Sequence, residues 1–347
     1  MEKLRKFLAA ITALIACVGM TSCSSENDLP GNEAEQEFYT VRLGWGGELD
    51  VTYEPLTRAD ATDDLYGIQV YSTPDIELED GEEITWTPYA YGLFDNTDIS
   101  INLLKGYKYK FVATMIVDGK NKVGGSIELG KHFGYPFFND AGQNSECELS
   151  NKFSYDASNF FPYLGEGNTW LLKENGEIKG YTRPNFERFY GELDNYEPNA
   201  QNAQVTISMK RTCFGAKFVA QGKAATEGTL DIQIEGAPKM SLTPSGETLS
   251  IFDIFTFSNV KDAWSTENYS EDIEVTINWH KEDGITIPLG THKITYKRNI
   301  TTVVNINVED EGVQSGVGFE FEDTDMPEEE TETTIKDGEI VETEVGT

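Results

Sequence analysis

The sequence predicts an all-β protein: two β-sandwich domains with long aromatic-rich loops and an acidic C-terminal tail. Three observations predict it. Apolar and polar residues alternate with a period of two in run after run. Gly, Asn and Asp punctuate those runs at short, regular spacing. No segment holds a 3.6-residue period long enough for a sizeable helix, so helix should be scarce. The 347 residues suit two domains, either able to bury a core.

The chain opens with Lys3, Arg5 and Lys6 ahead of an apolar run from Phe7 to Met20. About 14 residues cannot cross a hydrocarbon core of ~30 Å but match the h-region of a secretory signal. The run ends in Met20-Thr21-Ser22-Cys23, which resembles a bacterial lipobox with Met where Leu is commoner. That resemblance implies a lipoprotein signal peptide over residues 1–22, cleavage before Cys23 and lipidation of Cys23. Each buried acyl CH₂ adds ~0.8 kcal/mol, so several chains anchor a protein to a membrane almost permanently. Residues 23–37 carry five acids and no base. Self-repulsion keeps such a segment extended. It resembles the acidic tether of lipoproteins sent to the cell surface, which places the protein, lipid-anchored, on the outer membrane or in a fimbrium.

Strand patterning then begins. Phe38 to Leu43 alternates, and Gly44, Gly46 and Gly47 are read as a turn into a second strand, Glu48–Tyr53. Further strands are expected at Leu65–Tyr71, Ile99–Leu104 and Tyr107–Val117, with Asp118-Gly119 as a hairpin turn. The pattern continues at Val205–Met209, Leu230–Ile234, Ile273–Trp279 and Ile294–Tyr296, and closes at Thr302–Val308. The expected division is an N-terminal sandwich over 38–200, a C-terminal sandwich over 201–311, and a mobile tail over 312–347. That boundary is soft, since the strand beginning at Val205 could instead complete the first sandwich. The tail holds 12 acids and one base, Lys336, and Asp337-Gly338 is a candidate turn for a small hairpin.

Residues 133–196 interrupt the rhythm with 15 aromatics in 64 positions, nearly twice the chain-wide 12%. Long ordered loops strapped over a sandwich fit this composition. Two uses stay open. The rings form a lid over the core, or Tyr163, Trp170, Tyr181 and Tyr190 stack on sugar rings while nearby Asn and Asp take hydroxyls. Two cysteines remain beyond Cys17 and Cys23, namely Cys147 and Cys213. An exported compartment permits a disulfide, but a separation of 66 residues gives it no geometric support, and both states stay open.

Charge and motifs exclude several functions. With 60 Asp+Glu against 27 Lys+Arg, the net charge of −33 opposes nucleic-acid binding, which needs a basic surface. The three histidines, His132, His280 and His292, lack any zinc-hydrolase spacing. No nucleophile elbow, phosphate-binding loop or calcium loop appears. No catalytic residue, metal or cofactor is expected.

Several short stretches together resemble the fimbrillin family of type V pilin-like lipoproteins. They are the lipobox at Cys23 and Pro55-Leu-Thr-Arg58-Ala59-Asp60 ahead of Leu65–Tyr71. To these add Val205–Arg211 leading to Gly215-Ala-Lys-Phe218, and Tyr296-Lys-Arg-Asn299 ahead of Thr302–Val308. The resemblance implies two sandwiches, the first transthyretin-like, and assembly with other fimbrial subunits by β-strand exchange. It also implies proteolytic maturation between Arg58 and Ala59. The acidic tail departs from a donor strand and points to a tip, accessory or non-polymerising member. A monomeric lipoprotein that binds host or microbial surface glycans through the 133–196 loops is the alternative.

Overall fold

Strands β1 (Phe38–Gly47) and β11 (Ala203–Arg211) lie side by side and parallel, Val41 opposite Ala203 and Gly47 opposite Met209. The other edge of β1 pairs antiparallel with β4 (Ser100–Leu104). In the computed structural model the described residues are 37–49, 63–76, 84–139, 145–172, 177–243, 249–308, 317–326, 335–336 and 339–340. Through its last two residues β11 also touches β10 (Arg188–Tyr196), which continues into β5 (Tyr107–Ile116), β2 (Leu65–Pro74) and β3 (Thr87–Phe94). The result is one seven-stranded sheet in the order β3-β2-β5-β10-β11-β1-β4. Only two residue pairs join β10 to β11, so the sheet folds over there and its halves face each other. Val41, Leu43, Ile101 and Ile207 from one half meet Ile68, Val70, Phe111 and Phe189 from the other in a shared core.

The outer face of β3-β2-β5-β10 is also buried. Alternation sends Leu65, Tyr91, Ile116 and Tyr190 outward, where Phe133, Phe137, Phe161, Leu164 and Phe186 cover them. These come from chain 119–186, which includes two small antiparallel pairs. One joins β6 (His132–Phe138) to β7 (Glu146–Glu148), the other β8 (Thr169–Leu172) to β9 (Ile178–Tyr181). The aromatic-rich segment therefore straps over the sandwich and forms a second core beneath itself.

The C-terminal unit is a sandwich of two four-stranded sheets. One pairs β12 (Cys213–Gly222) in parallel with β18 (Ile300–Val308), flanked by β15 (Ser250–Thr256) and β19 (Val317–Asp325). The other is β14 (Met240–Leu242), β13 (Thr229–Ile234), β16 (Ser270–His280) and β17 (Thr286–Lys297). Period-two residues Phe214, Ala216 and Phe218 of β12 pack against Ile273, Val275, Ile277 and Trp279 of β16. Trp279 is wholly buried, and its indole N–H donates to the Glu227 carbonyl at 2.7 Å. Among the described residues, helix is confined to short turns such as Gly119–Lys122 and Val260–Ser265.

β11 is held by β1 and β10, so the strand from Val205 pairs with the first sheet, the alternative that the soft boundary left open. Three expectations are corrected. Gly44 and Gly46 do not end the first strand. They lie within β1, where a Cβ would come within 2.5 Å of the Gln204 side chain and 2.9 Å of Thr206. Only Gly47, at φ +75°, closes the strand, and Glu48–Leu49 begin a helical turn. Asp118-Gly119 makes no hairpin: Asp118 is left-handed at φ 55°, its N–H is taken by Asp64, and Gly119 starts a helical turn that leads into the strap. Finally, Val317–Asp325 is strand β19 rather than mobile tail, as its own alternation of Val317, Phe319 and Phe321 allows. Further on, Ile335–Lys336 pairs with Glu339–Ile340, the expected hairpin ends.

Candidate functional site

Two places gather charged and aromatic side chains, one at the end of a strand and one in a cleft. The first is the seat of β1. Its inward residues Val41 and Leu43 are buried, and half-buried Trp45 stacks on Tyr66 with ring centroids 5.4 Å apart. Just past the strand, the Glu48 carboxylate accepts from the Arg211 backbone N–H at 2.8 Å and from the Arg298 guanidinium at 2.8 and 2.9 Å. Arg211 in turn donates to Glu187 at 2.8 Å and to Asn299 at 2.9 Å. The end of the N-terminal strand is thus fastened to the junction of the two sandwiches.

The second place is the open end of the strap. Two buried polar groups fix the strap's path there. Gln69, fully buried on β2, accepts from the Phe161 N–H at 2.8 Å. Arg188, fully buried on β10, donates to the carbonyls of Leu164 at 2.7 Å and Glu166 at 2.6 Å and to the Thr114 hydroxyl at 2.8 Å. Burial lowers the Arg188 pKa to about 10. Beyond this anchor the strap parts from the sheet and leaves a cleft of about 680 Å³. Its floor is the outer face of β2, β5 and β10, its wall residues 161–168, and its far side the segment 258–261 of the C-terminal sandwich. On the floor, Glu192 accepts from Tyr190 Oη at 2.6 Å and pairs with Lys110 at 2.7 Å and Lys261 at 3.0 Å. Burial pushes the Glu192 pKa up, but these three donors outweigh it and hold the carboxyl below its ordinary value. The Tyr190 phenol is raised, first by burial and then by Glu192.

The residues singled out from sequence fall as follows. Cys23, Arg58 and Ala59 lie outside the described residues. Tyr163, Trp170, Tyr181 and Tyr190 do not converge on one platform. Tyr163 and Trp170 sit in a ring cluster with Tyr135 and Phe138, with centroid separations from 4.4 to 6.4 Å. Tyr181 stands on β9 opposite Thr169. Tyr190 is buried on the cleft floor. Cys147 and Cys213 are both free and buried, so the disulfide left open by the sequence is not formed. Cys147 belongs to the strap core, whereas Cys213 on β12 takes the Arg188 N–H at 3.0 Å. Burial pushes both thiols up to about 12.

Sequence reasoning missed Trp86, Lys110, Glu192 and Lys261 as one group, since 175 positions of chain separate the first from the last. Only the alternation along β5 and β10, with Lys110 and Glu192 at outward positions, hinted at them. His280 makes surface bonds to Thr286 at 2.9 Å and Asp231 at 3.1 Å, away from the cleft. Among the described residues, no three His, Cys, Asp or Glu side chains gather as metal ligands.

No family model matches the chain, and no curated protein matches it. Among solved structures, it is similar to the fimbrial anchor protein Mfa2 from Porphyromonas gingivalis. That likeness has 9% identity and a TM-score of 0.36, over 82% of this chain and 97% of that one. It is also similar to the C-terminally truncated tip fimbrial protein Mfa3 of the same organism, at 9% identity and a TM-score of 0.34, over 84% and 100%. A candidate adhesin from Bacteroides ovatus shows 10% identity and a TM-score of 0.38, over 83% and 94%. At these identities no residue role passes from them to this chain.

Proposed function

We propose that this chain is a lipid-anchored cell-surface structural or adhesive protein, a fimbrial subunit or accessory component that assembles by β-strand exchange. The observation that carries the reading is the position of β1. It is an internal strand, paired on both edges, and it precedes Arg58 in the chain. A cut between Arg58 and Ala59 would free every residue up to Arg58, β1 among them. The cut would leave β4 and β11 with unpaired backbone groups along a groove emptied of Val41 and Leu43. Each such side chain is worth ~1.5–3 kcal/mol on burial, so an incoming strand of matching alternation is favoured over an empty groove. Cys23 lies on the same side of that cut, so the event that opens the groove also parts the body from its lipid. Intact chain is anchored and closed; cut chain is free and receptive.

Strand donation is less well supplied. The C-terminal strand β19 already completes the chain's own sheet beside β18. The residues after it are dominated by carboxylates, which are costly to bury in a groove. A subunit that accepts but does not donate suits a tip or accessory role.

The test compares wild type with Arg58→Ala in outer-membrane fractions run with and without boiling, beside immunogold labelling of intact cells. A ladder that collapses on boiling, with gold along filaments, is expected of a stalk subunit. Gold at filament ends without a ladder is expected of a tip. In either case Arg58→Ala should stay as a single band on the bare surface. A wild type that behaves like Arg58→Ala would sink strand exchange.

A further inference from the structure

The cleft at the open end of the strap is a formed site that strand exchange does not use. We infer that it binds a neutral carbohydrate, a short oligosaccharide held on Trp86 and Tyr71 and hydrogen-bonded by Lys110, Glu192, Lys261 and Asn168. Its volume of about 680 Å³ falls within the ~300–1,000 Å³ usual for small-ligand sites, and it lies where two domains and a loop meet, a common setting for them.

The lining decides the ligand class. Trp86 and Tyr71 are half-buried, so each leaves part of a ring facing the cleft, and Pro162 and Val112 extend the apolar surface. Such a face suits the C–H side of a pyranose. The charged groups are already balanced: Lys110 and Lys261 both pair with Glu192, and Glu166 supplies the second carboxylate. An anionic ligand would meet Glu192 and Glu166 inside a chain of net charge −33. A cationic one would have to displace two lysines from Glu192. An apolar ligand would cover charged groups and give them no partner, a costly outcome. A polyol both donates and accepts, so it can bridge the pairs without breaking them. Asn168, whose amide reaches Glu166 at 3.2 Å, adds a further acceptor and donor at the wall.

The wall is also rigid before any ligand arrives. Gln69 and Arg188 hold the backbone of Phe161, Leu164 and Glu166 from beneath, so little ordering is left for binding to impose. This placement differs from the ring cluster around Tyr163 and Trp170, whose members pack on one another.

The test applies the full chain to an array carrying lactose, N-acetyllactosamine, maltotriose and mannotriose beside sialylated and sulfated counterparts. Wild type should be retained on at least one neutral member in preference to its charged counterparts. Trp86→Ala should weaken that retention by roughly tenfold or more. Lys261→Ala, at a side chain 56% exposed, leaves Glu192 its bonds to Lys110 and Tyr190 and should weaken retention in the same direction while the chain still melts in one cooperative transition. No retention on any neutral member would overturn the inference. So would preference for the sialylated or sulfated sugars, or full retention by Trp86→Ala and Lys261→Ala. None of these readouts depends on cleavage or assembly, so failure here leaves the strand-exchange reading untouched.

Discussion

Arg188 is a wholly buried cation that makes its hydrogen bonds to neutral acceptors: two carbonyls and a hydroxyl. Its role is to hold the strap, and the consequence is measurable. Arg188→Met removes the donors but leaves the carbonyls of Leu164 and Glu166 buried beneath the strap. At ~1–3 kcal/mol for each stranded acceptor, part of it recovered by water, the loss should be about 2–4 kcal/mol in urea unfolding. Arg188→Lys should lose less, because one ammonium still reaches one or two acceptors. A Met variant as stable as wild type would show that the strap does not depend on this anchor. The free thiols give a second prediction. Only a thiolate reacts readily, and burial has pushed Cys147 and Cys213 up to about 12. Peptide mapping after iodoacetamide at pH 8 should find both unlabelled in the native chain and both labelled in denaturant. A native disulfide would leave them unlabelled in denaturant until a reductant is added.

At the scale of elements, Glu48 is where one strand is fastened to the rest. It takes a backbone N–H from the end of β11 and two guanidinium contacts from the loop between β17 and β18. Glu48→Gln keeps the shape and removes the charge, leaving Arg298, only 14% exposed, short of its carboxylate. The expected cost is about 1–2 kcal/mol. Limited proteolysis should show it as easier cutting before residue 63 rather than as general loosening. Faster cutting spread over the whole chain would place Glu48 in global stability instead. Much of β1 itself was legible: Phe38–Leu43 alternates, and burial follows that alternation at Val41 and Leu43. Its partner was not legible, because β11 lies about 160 residues away and a parallel pairing leaves no local turn signal. The glycines misled for a related reason. Gly44 and Gly46 look like a turn in one dimension, yet their lack of a side chain makes room for Gln204 and Thr206 on the neighbouring strand. Aromatic density did announce the strap, whereas the cleft depends on which outward positions of β5 and β10 the strap leaves uncovered. Only the folded sheet decides that.

For the molecule as a whole, the excess of acid sets two opposing trends. With 60 carboxylates against 27 Lys and Arg, most negative charge has no partner and repels its own kind across the surface. The pairs at the junction are better shielded: Arg211 and Glu187 are 7% and 15% exposed. Salt screens exposed charges most, the Debye length falling from about 30 Å at 0.01 M to about 3 Å at 1 M. Added NaCl should therefore relieve more repulsion than attraction and raise the melting temperature by a few degrees. A steady fall with salt would mean that ion pairs outweigh the excess charge. Acid works on the same balance with a turning point. Partial protonation from pH 7 towards 5 removes repulsion and should stabilise. Glu192, however, is held below its ordinary 4.5, because its bonds to Lys110, Tyr190 and Lys261 outweigh the opposing effect of burial. A carboxyl depressed in the folded state gives stability that is present above 4.5 and lost as pH falls through the folded value. Asp95 and Asp231, held below 3.8 by lysine and amide or hydroxyl donors against burial, extend the same loss to lower pH. The melting temperature should thus peak near pH 5 and fall below about 4.5. Glu192→Gln should lower the whole curve but flatten its acid limb, since Gln has no proton to gain. An acid limb of unchanged steepness in that variant would move the acid sensitivity away from the cleft floor and onto Asp95 and Asp231.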